Sequence, residues 1–235
     1  MNRSMAVALC ATAVACGCAS PPDARAPAGA GPSFAPSQDG DAAAEPRVPA
    51  ATLFDGASLE GWKVLGDDAF PGRGAVRVAE GAIVLEAGDP FTAIAWTGAF
   101  ATVGYEIELE ARRVAGNDIF CGLTFPVGAE HVTIVLGGWG NCLVGLSNID
   151  GHNASENIST RAMAFENGRW YALAVRVTDE RIEAWIDDEI AVDVRRGDHH
   201  FTVYDQLLPT RPVGVFSWRS TGEVRKVRLS PSPLR

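Results

Sequence analysis

The sequence predicts an all-β fold, a two-sheet antiparallel jelly-roll sandwich, and three observations carry that expectation. Beyond residue 50 apolar and polar side chains alternate with a period of two, Gly and Asp/Asn turn signals recur at short intervals, and helical periodicity is absent. About a dozen short strands fit two packed sheets around one core, with a single-sheet barrel as the competing closure.

Each element has its own local justification. Ala75 to Val78 and Ala82 to Leu85 flank Glu80-Gly81 and read as a hairpin. Thr92 to Trp96 is the next strand. In Gly104 to Val114 the residues Tyr105, Ile107, Leu109 and Ala111 alternate with Glu106, Glu108, Glu110 and Arg112, so one face meets a core and the other water. Strands are expected at Ile119 to Phe125, His131 to Leu136, Leu143 to Leu146 and Trp170 to Val177. Arg181 to Ile186 and Ile190 to Val194 flank Asp187-Asp188-Glu189 as a second hairpin, and Val213 to Trp218 and Val224 to Leu229 complete the set. With Ile182, Ala184 and Ile186 directed inward, Trp185 points away from the core, and Trp170 stands opposite Tyr171 in the same sense. Trp62, after Gly61, is assigned to packing.

Composition bounds the partners. The net charge of −9, from 20 basic and 29 acidic residues, is broken by no Lys/Arg run, which argues against nucleic acid. Residues 1–18 read as a lipoprotein-type signal peptide: Arg3 is followed by a short stretch of small apolar residues and then Cys16-Gly17-Cys18-Ala19-Ser20. Cys18 is the expected lipidation site and Cys16 its alternative, so contact with a membrane is expected only through an N-terminal lipid anchor at a bacterial cell envelope. An ordinary cleaved signal remains the other reading. Residues 19–50, rich in Ala, Pro, Gly, Ser and Asp, are expected to be a disordered tether, and residues 51–230 the folded domain. Cys121 and Cys142 fall in expected strands, as a bridge or as two free thiols. His131, His152, His199 and His200 show no zinc-type spacing.

The order of several short segments resembles a known family. Leu53-Phe54-Asp55-Gly56 with Gly61-Trp62, Gly104 to Glu110 leading to Gly116-Asn117-Asp118-Ile119-Phe120, Asn167-Gly168-Arg169-Trp170-Tyr171, Ile182 to Asp188, Val213-Gly214-Val215 and Val224 to Leu229 together are similar to the 3-keto-disaccharide hydrolase domain. That resemblance covers nearly all of residues 51–230. It implies a concanavalin A-like, laminin G-like jelly roll whose members cleave or hydrate 3-keto-glycosides. This chain departs from the family pattern in three places. Cys121-Gly122-Leu123 stands where the enzymes carry an arginine, Gly137 to Asn141 and Ser147 to Asn157 replace an acidic Tyr/Glu-rich strand, and Phe216, Ser217, Trp218 and Arg219 replace polar Gln and His.

The candidate site residues follow from chemistry. The polar, Gly-punctuated loop Asn148 to Thr160 offers Asp150, His152 and Glu156 as acid/base groups or as ligands for a divalent cation, with Asn148 and Asn157 as ligand-binding amides. A solvated loop capped by Asn and Asp is the plainer alternative. Asp118 is the acidic residue nearest the family's enzyme motif. Trp139, Trp185 and Trp218 offer indole faces to the C–H faces of sugars, and Arg219 a bidentate grip. A carbohydrate ligand is expected, handled by a glycan-processing enzyme, by a non-catalytic carbohydrate-binding module, or not at all if the sandwich is purely structural.

Overall fold

The computed structural model describes residues 48–232; Cys16, Cys18, the signal segment and the tether through residue 47 lie outside the described residues. In chain order the strands are β1 (Ala51–Thr52), β2 (Trp62–Val64), β3 (Val76–Ala79), β4 (Ala82–Leu85), β5 (Phe91–Trp96), β6 (Tyr105–Ala115), β7 (Cys121–Val127) and β8 (Glu130–Gly137). After a turn at Gly138–Asn141 come β9 (Leu143–Ser147), β10 (Arg161–Ala162), β11 (Tyr171–Val177), β12 (Arg181–Ile186), β13 (Glu189–Arg195), β14 (Gly214–Trp218) and β15 (Thr221–Pro231). Two 3₁₀ segments, Arg196–Asp198 and Asp205–Thr210, bridge β13 and β14. The strands form two antiparallel sheets. The larger has the order β13-β12-β11-β6-β15-β4-β3 with β1 added on β15, and the smaller runs β10-β9-β8-β7-β14-β5-β2.

The period of two places the core between the sheets. From β6, Tyr105, Ile107, Leu109 and Ala111 are buried, and they meet Ile182, Ala184 and Ile186 of β12 and Val224 of β15 in the same cluster. The smaller sheet contributes Ile94, Leu123, Phe125, Val132, Ile134, Leu136, Val144, Leu146 and Val215. Glu106, Glu108, Glu110 and Arg112 take the opposite face, as their alternation requires. Glu110 pairs there with Arg225 at 2.7 Å and Lys226 at 2.6 Å, and Arg112 with Glu223 at 2.5 Å. The two hairpin turns use left-handed residues, Glu80-Gly81 at φ 51° and 74° and Asp187-Asp188 at φ 49° and 66°. That twist matches the flanking strands and is tolerated best by Gly, Asn and Asp.

The smaller sheet differs from the larger in being apolar on both faces. All seven residues of β7 and the first five of β5 are buried. Its second face carries Phe91, Ala93, Ala95, Val135, Leu143 and Phe216, which cluster with Leu65, Phe70, Ile119, Ala154, Val203 and Leu207 from the covering loops. Cys121 is buried in β7, and its burial pushes the thiol pKa up to about 12. Cys142, expected in a strand, instead sits exposed at the end of the Gly138–Asn141 turn, where its backbone N–H donates to the Gly138 carbonyl at 3.0 Å. Both cysteines are free.

Trp62 shows how the opening segment is held. Its indole is buried, and Nε1 donates to the Leu53 carbonyl at 2.7 Å, closing the chain back onto the start of the domain. Replacing Trp62 by Phe keeps most of the apolar contact but strands that carbonyl, so urea unfolding should show a loss of about 1–3 kcal/mol. An unchanged midpoint would mean that water satisfies the carbonyl equally well.

Candidate functional site

A cleft of about 410 Å³ opens on the outer face of the smaller sheet. Its floor is sheet: Phe91, Thr133, Val135, Ser147 and Phe216 come from β5, β8, β9 and β14. The walls are Trp139, Tyr204, Leu207 and Trp218, with Asp118, Ile119, Asn148 and Asn153 at the margins. Trp139 is 43 % exposed and Tyr204 45 %, so each presents a large aromatic surface to water. Trp218 is held edge-on against Phe91, ring centroids 4.6 Å apart, and Phe91 in turn packs on Phe216. Depth at the floor depends on Gly122, where a Cβ would lie 2.2 Å from the Phe216 ring. Any larger residue would drive that ring into the cleft.

Two margins of the cleft share one buried cation. Arg113, on β6, is 3 % exposed. Its Nε donates to Asn167 Oδ1 at 2.5 Å, one terminal nitrogen to Asn141 Oδ1 at 3.0 Å and the Asp118 carbonyl at 3.4 Å, and the other to the Phe165 carbonyl at 2.6 Å. The guanidinium also lies over the Phe120 ring at 5.6 Å. Burial pulls its pKa below the usual arginine value, partly offset by Tyr171 and Asp118, and the group stays charged. Asn141 completes the clamp by accepting from the Phe165 amide and donating to its carbonyl, both at 3.0 Å. This network fixes a turn that the backbone disfavours: Gly137, Trp139, Gly140 and Asn141 all have φ between 53° and 77°. A left-handed Trp is strained, and such strain persists only where neighbours enforce it. Arg113 is therefore the positioning residue for Trp139. Nothing in its polar-face neighbourhood on β6 singled it out in the sequence; an arginine at an inward position of an alternating strand was the available signal.

The loop Asn148 to Thr160 is organised by its own side chains. Asn157 Nδ2 donates to the carbonyls of Leu146, His152 and Asn153 at 2.8–3.0 Å, while its Oδ1 accepts from the Ser159 amide and hydroxyl. Asn157 is thus a scaffold residue whose amide is already engaged, not a free ligand group. Glu156 is exposed and accepts from Asn153 Nδ2 at 2.9 Å. Asp150 is drawn outward: it accepts from the His200 amide at 2.8 Å and lies 2.7 Å from His199 Nδ1. The reason is a short antiparallel pairing, in which Asn148 N–H donates to Thr202 O and Asp150 N–H to His200 O. His152 is exposed and bonded through its backbone to Ile149.

Of the residues predicted from sequence, the fold brings Asp118, Trp139, Asn148 and Trp218 together around the cleft. Asp150, His152 and Glu156 do not join them and do not converge on one another. Trp185 lies on the outer face of the larger sheet, with the Arg176 guanidinium 4.8 Å from its ring. Arg219 is exposed, 5.9 Å from the Trp218 ring centroid and 3.3 Å from Asp89, outside the cleft lining. Asn153 and Tyr204 join the lining without having been singled out as site residues. Among the described residues no group of three or more His, Cys, Asp or Glu is gathered to hold a metal ion, and of the donors expected to bind a divalent cation Asp150 and Glu156 are hydrogen-bonded to other residues. Among the described residues Asp118 is the one carboxylate lining the cleft, and no Lys, Arg or His lines it. Its Oδ1 accepts from the Ile119 amide at 2.9 Å, and its own amide N–H donates to Ser220 Oγ at 3.0 Å.

Comparison with known proteins places this geometry. Residues 49–230 match the family described as 3-keto-alpha-glucoside-1,2-lyase-like domain. The chain belongs to that family. No curated protein sequence matches it. Among solved structures, the family member described here is similar to the carbohydrate binding module CBM66 from Bacillus subtilis, at 15% identity and TM-score 0.51 over 72% of this chain and 95% of that one. It is similar to the Crh5 transglycosylase in complex with NAG, at 11% identity and TM-score 0.55 over 80% and 86% of the two chains. SCLam, a non-specific endo-beta-1,3(4)-glucanase from family GH16, matches at 13% identity and TM-score 0.51 over 80% and 91%. These likenesses establish the concanavalin A-like two-sheet fold.

Two outcomes follow from the site. Arg113→Met should cost about 3 kcal/mol or more in urea unfolding, because it removes charge-assisted bonds to buried acceptors, and should increase quenching of Trp139 by acrylamide. A variant with wild-type stability and quenching would show that the turn holds itself. The second concerns acid. The His200 amide first, and His199 next, hold the Asp150 carboxyl below its ordinary pKa. A depressed carboxylate stabilises the folded state above its unfolded pKa and loses that contribution as pH falls through the lower, folded value. Protection of the His200 amide from hydrogen exchange should therefore persist at pH values just under the ordinary aspartate range and vanish only below it. Loss at or above that range contradicts the link.

Proposed function

We propose that the domain is a glycan-binding member of the 3-keto-glucoside lyase-like family, which holds a sugar in the cleft between Trp139, Trp218 and Tyr204. The observation that carries this reading is the composition of the lining: three aromatic walls, an apolar floor, a few amide and hydroxyl groups, and a single carboxylate. Indole faces pack on the apolar C–H faces of a pyranose, while Asn148, Asn153, Ser147 and Asp118 can meet its hydroxyls. The solved structures of similar fold include a carbohydrate binding module, a transglycosylase and a glucanase, which supports a glycan ligand. The lipoprotein-type segment Cys16-Gly17-Cys18 supports export and anchoring at a cell envelope through Cys18, with the domain carried at 51–230.

One observation favours a second, catalytic reading. Glycoside hydrolysis needs two carboxylates flanking the bond, and among the described residues the cleft lining supplies one. A 1,2-elimination from a 3-keto-glucoside needs a single base. The C3 carbonyl acidifies the C2–H, the base takes that proton, the C–H electrons form the C1–C2 double bond, and the glycosidic oxygen leaves C1 and takes up a proton. Asp118, half-buried at the cleft margin, is the group placed to be that base.

Isothermal titration with neutral gluco-oligosaccharides and with a 3-keto-glucoside separates the two readings. Trp218→Ala and Trp139→Ala should each weaken binding about tenfold or more, a loss of roughly 1.4 kcal/mol. Asp118→Asn should leave binding within a few-fold. If a 3-keto-glucoside is also turned over, Asp118→Asn should reduce the rate by a factor of about 10² or more. Absence of binding to every sugar would dismiss the glycan reading, and turnover unaffected by Asp118→Asn would dismiss that residue as the base.

A further inference from the structure

We infer that the outer face of the larger sheet carries a second sugar-binding site, built on Trp185 and separate from the cleft, which lies on the opposite sheet. Sheet register creates it. Arg228, Glu108, Ala174, Trp185 and Ile190 are successive cross-strand partners from β15 through β6, β11 and β12 to β13. Ala172, two residues along β11, is the partner of Glu110. Where β6 and β15 carry the long charged side chains of Glu108, Glu110 and Arg228, β11 offers the methyl groups of Ala172 and Ala174, with Arg176 its next outward residue, and the result is a depression of about 310 Å³ with Trp185 along its border.

The groups around this depression are unevenly committed. Glu110 is engaged by Arg225 and Lys226, and the guanidinium of Arg176 lies 4.8 Å from the Trp185 ring while pairing with Glu106 at 2.7 Å. Glu108, Asp188 and Arg228, by contrast, enter no ion pair or side-chain hydrogen bond among the described residues, although Glu108 and Arg228 are direct cross-strand partners. An indole wall over a methyl floor asks for an apolar ligand face. Carboxylates and cations side by side ask for groups that both donate and accept hydrogen bonds. A strongly anionic or cationic ligand would meet a repelling partner in either case. A neutral pyranose ring satisfies all three demands, since one face is C–H and its rim is hydroxyl. The volume, at the small end of the roughly 300–1,000 Å³ range of ligand pockets, suits a short glycan segment rather than a long chain.

Because the two sites face away from each other across the sandwich, one short oligosaccharide cannot serve both, and the domain would bridge two glycan strands. Each of the six tryptophans carries one indole N–H, so assigning these resonances in the ¹⁵N-labelled chain lets one titration read the two sites separately. The probes are β-1,3- and β-1,4-linked gluco-oligosaccharides, malto-oligosaccharides and N-acetylglucosamine oligomers. We expect at least one to shift the Trp185 resonance saturably, with an affinity that differs from that read at Trp139 and Trp218. Ala174→Leu fills the depression on a face that tolerates a strand residue and keeps the indole, so it should abolish the Trp185 response and leave the cleft responses in place. Glu108→Gln should weaken the Trp185 site about threefold or more without moving the cleft affinity. Silence of Trp185 with every probe, or a response that survives Ala174→Leu, overturns the second site whatever the cleft does. A response at Trp185 with silence at Trp139 and Trp218 supports it while removing the cleft reading alone.

Discussion

Burial of the smaller sheet on both of its faces is the constraint on which the rest of the structure depends. A half-buried sheet can leave one side to water, as the larger sheet does with its cross-strand ion pairs. The smaller sheet cannot, because Phe91, Val135, Leu143 and Phe216 stand on the face away from the core, and each such side chain left wet costs roughly 1.5–3 kcal/mol. The chain answers with covering segments that bring Phe70, Ala154, Val203 and Leu207 down onto that face. The cover stops at Trp139, Tyr204 and Trp218, whose rings stay partly exposed, and the recess between them, floored by Thr133, Val135 and Phe216, is the cleft.

Beside the aromatic packing that holds Trp218 on Phe91, two polar devices hold the other margins of the gap. Arg113 links the Asp118 segment, the turn bearing Trp139 and the Phe165–Asn167 segment through one guanidinium. Asn157 does the same for the Asn148–Thr160 loop through its amide. In both cases a group that a sequence reading treats as chemistry or as surface turns out to be internal scaffolding, since a buried donor must be satisfied before it can do anything else. The consequence for function is a site with fixed aromatic walls and few free polar groups. That arrangement suits recognition of a sugar face, and among the described residues it leaves Asp118 as the one carboxylate in the lining able to accept a proton.

The family relationship and the cleft describe different levels of the same molecule. Membership over residues 49–230 fixes the scaffold and the class of glycan chemistry to which it is related. The segments that the sequence reading set apart from the family pattern, Gly137 to Asn141, Ser147 to Asn157 and Phe216 to Arg219, lie at or beside the cleft.

Much of the architecture was legible in the sequence because strands declare themselves locally. Alternation in Tyr105 to Arg112, the left-handed turn chemistry of Glu80-Gly81 and Asp187-Asp188, and the outward position of Trp185 each follow from a period of two and from turn sterics, and neither needs knowledge of the partner strand. The sequence also offered Asp118, Asn148, Trp139 and Trp218 as candidate site residues. It could not show that these four share a cleft while Asp150, Glu156, Asn157, Trp185 and Arg219 stand apart from it. That division depends on which loop pairs with which segment, as Asn148 and Asp150 do with Thr202 and His200 some fifty residues on, and on which sheet faces which. Side-chain periodicity is a property of neighbours in the chain, whereas convergence is a property of non-local pairing, so the sequence by itself determined the strands, their inward faces and the family, and only the tertiary structure decided the site.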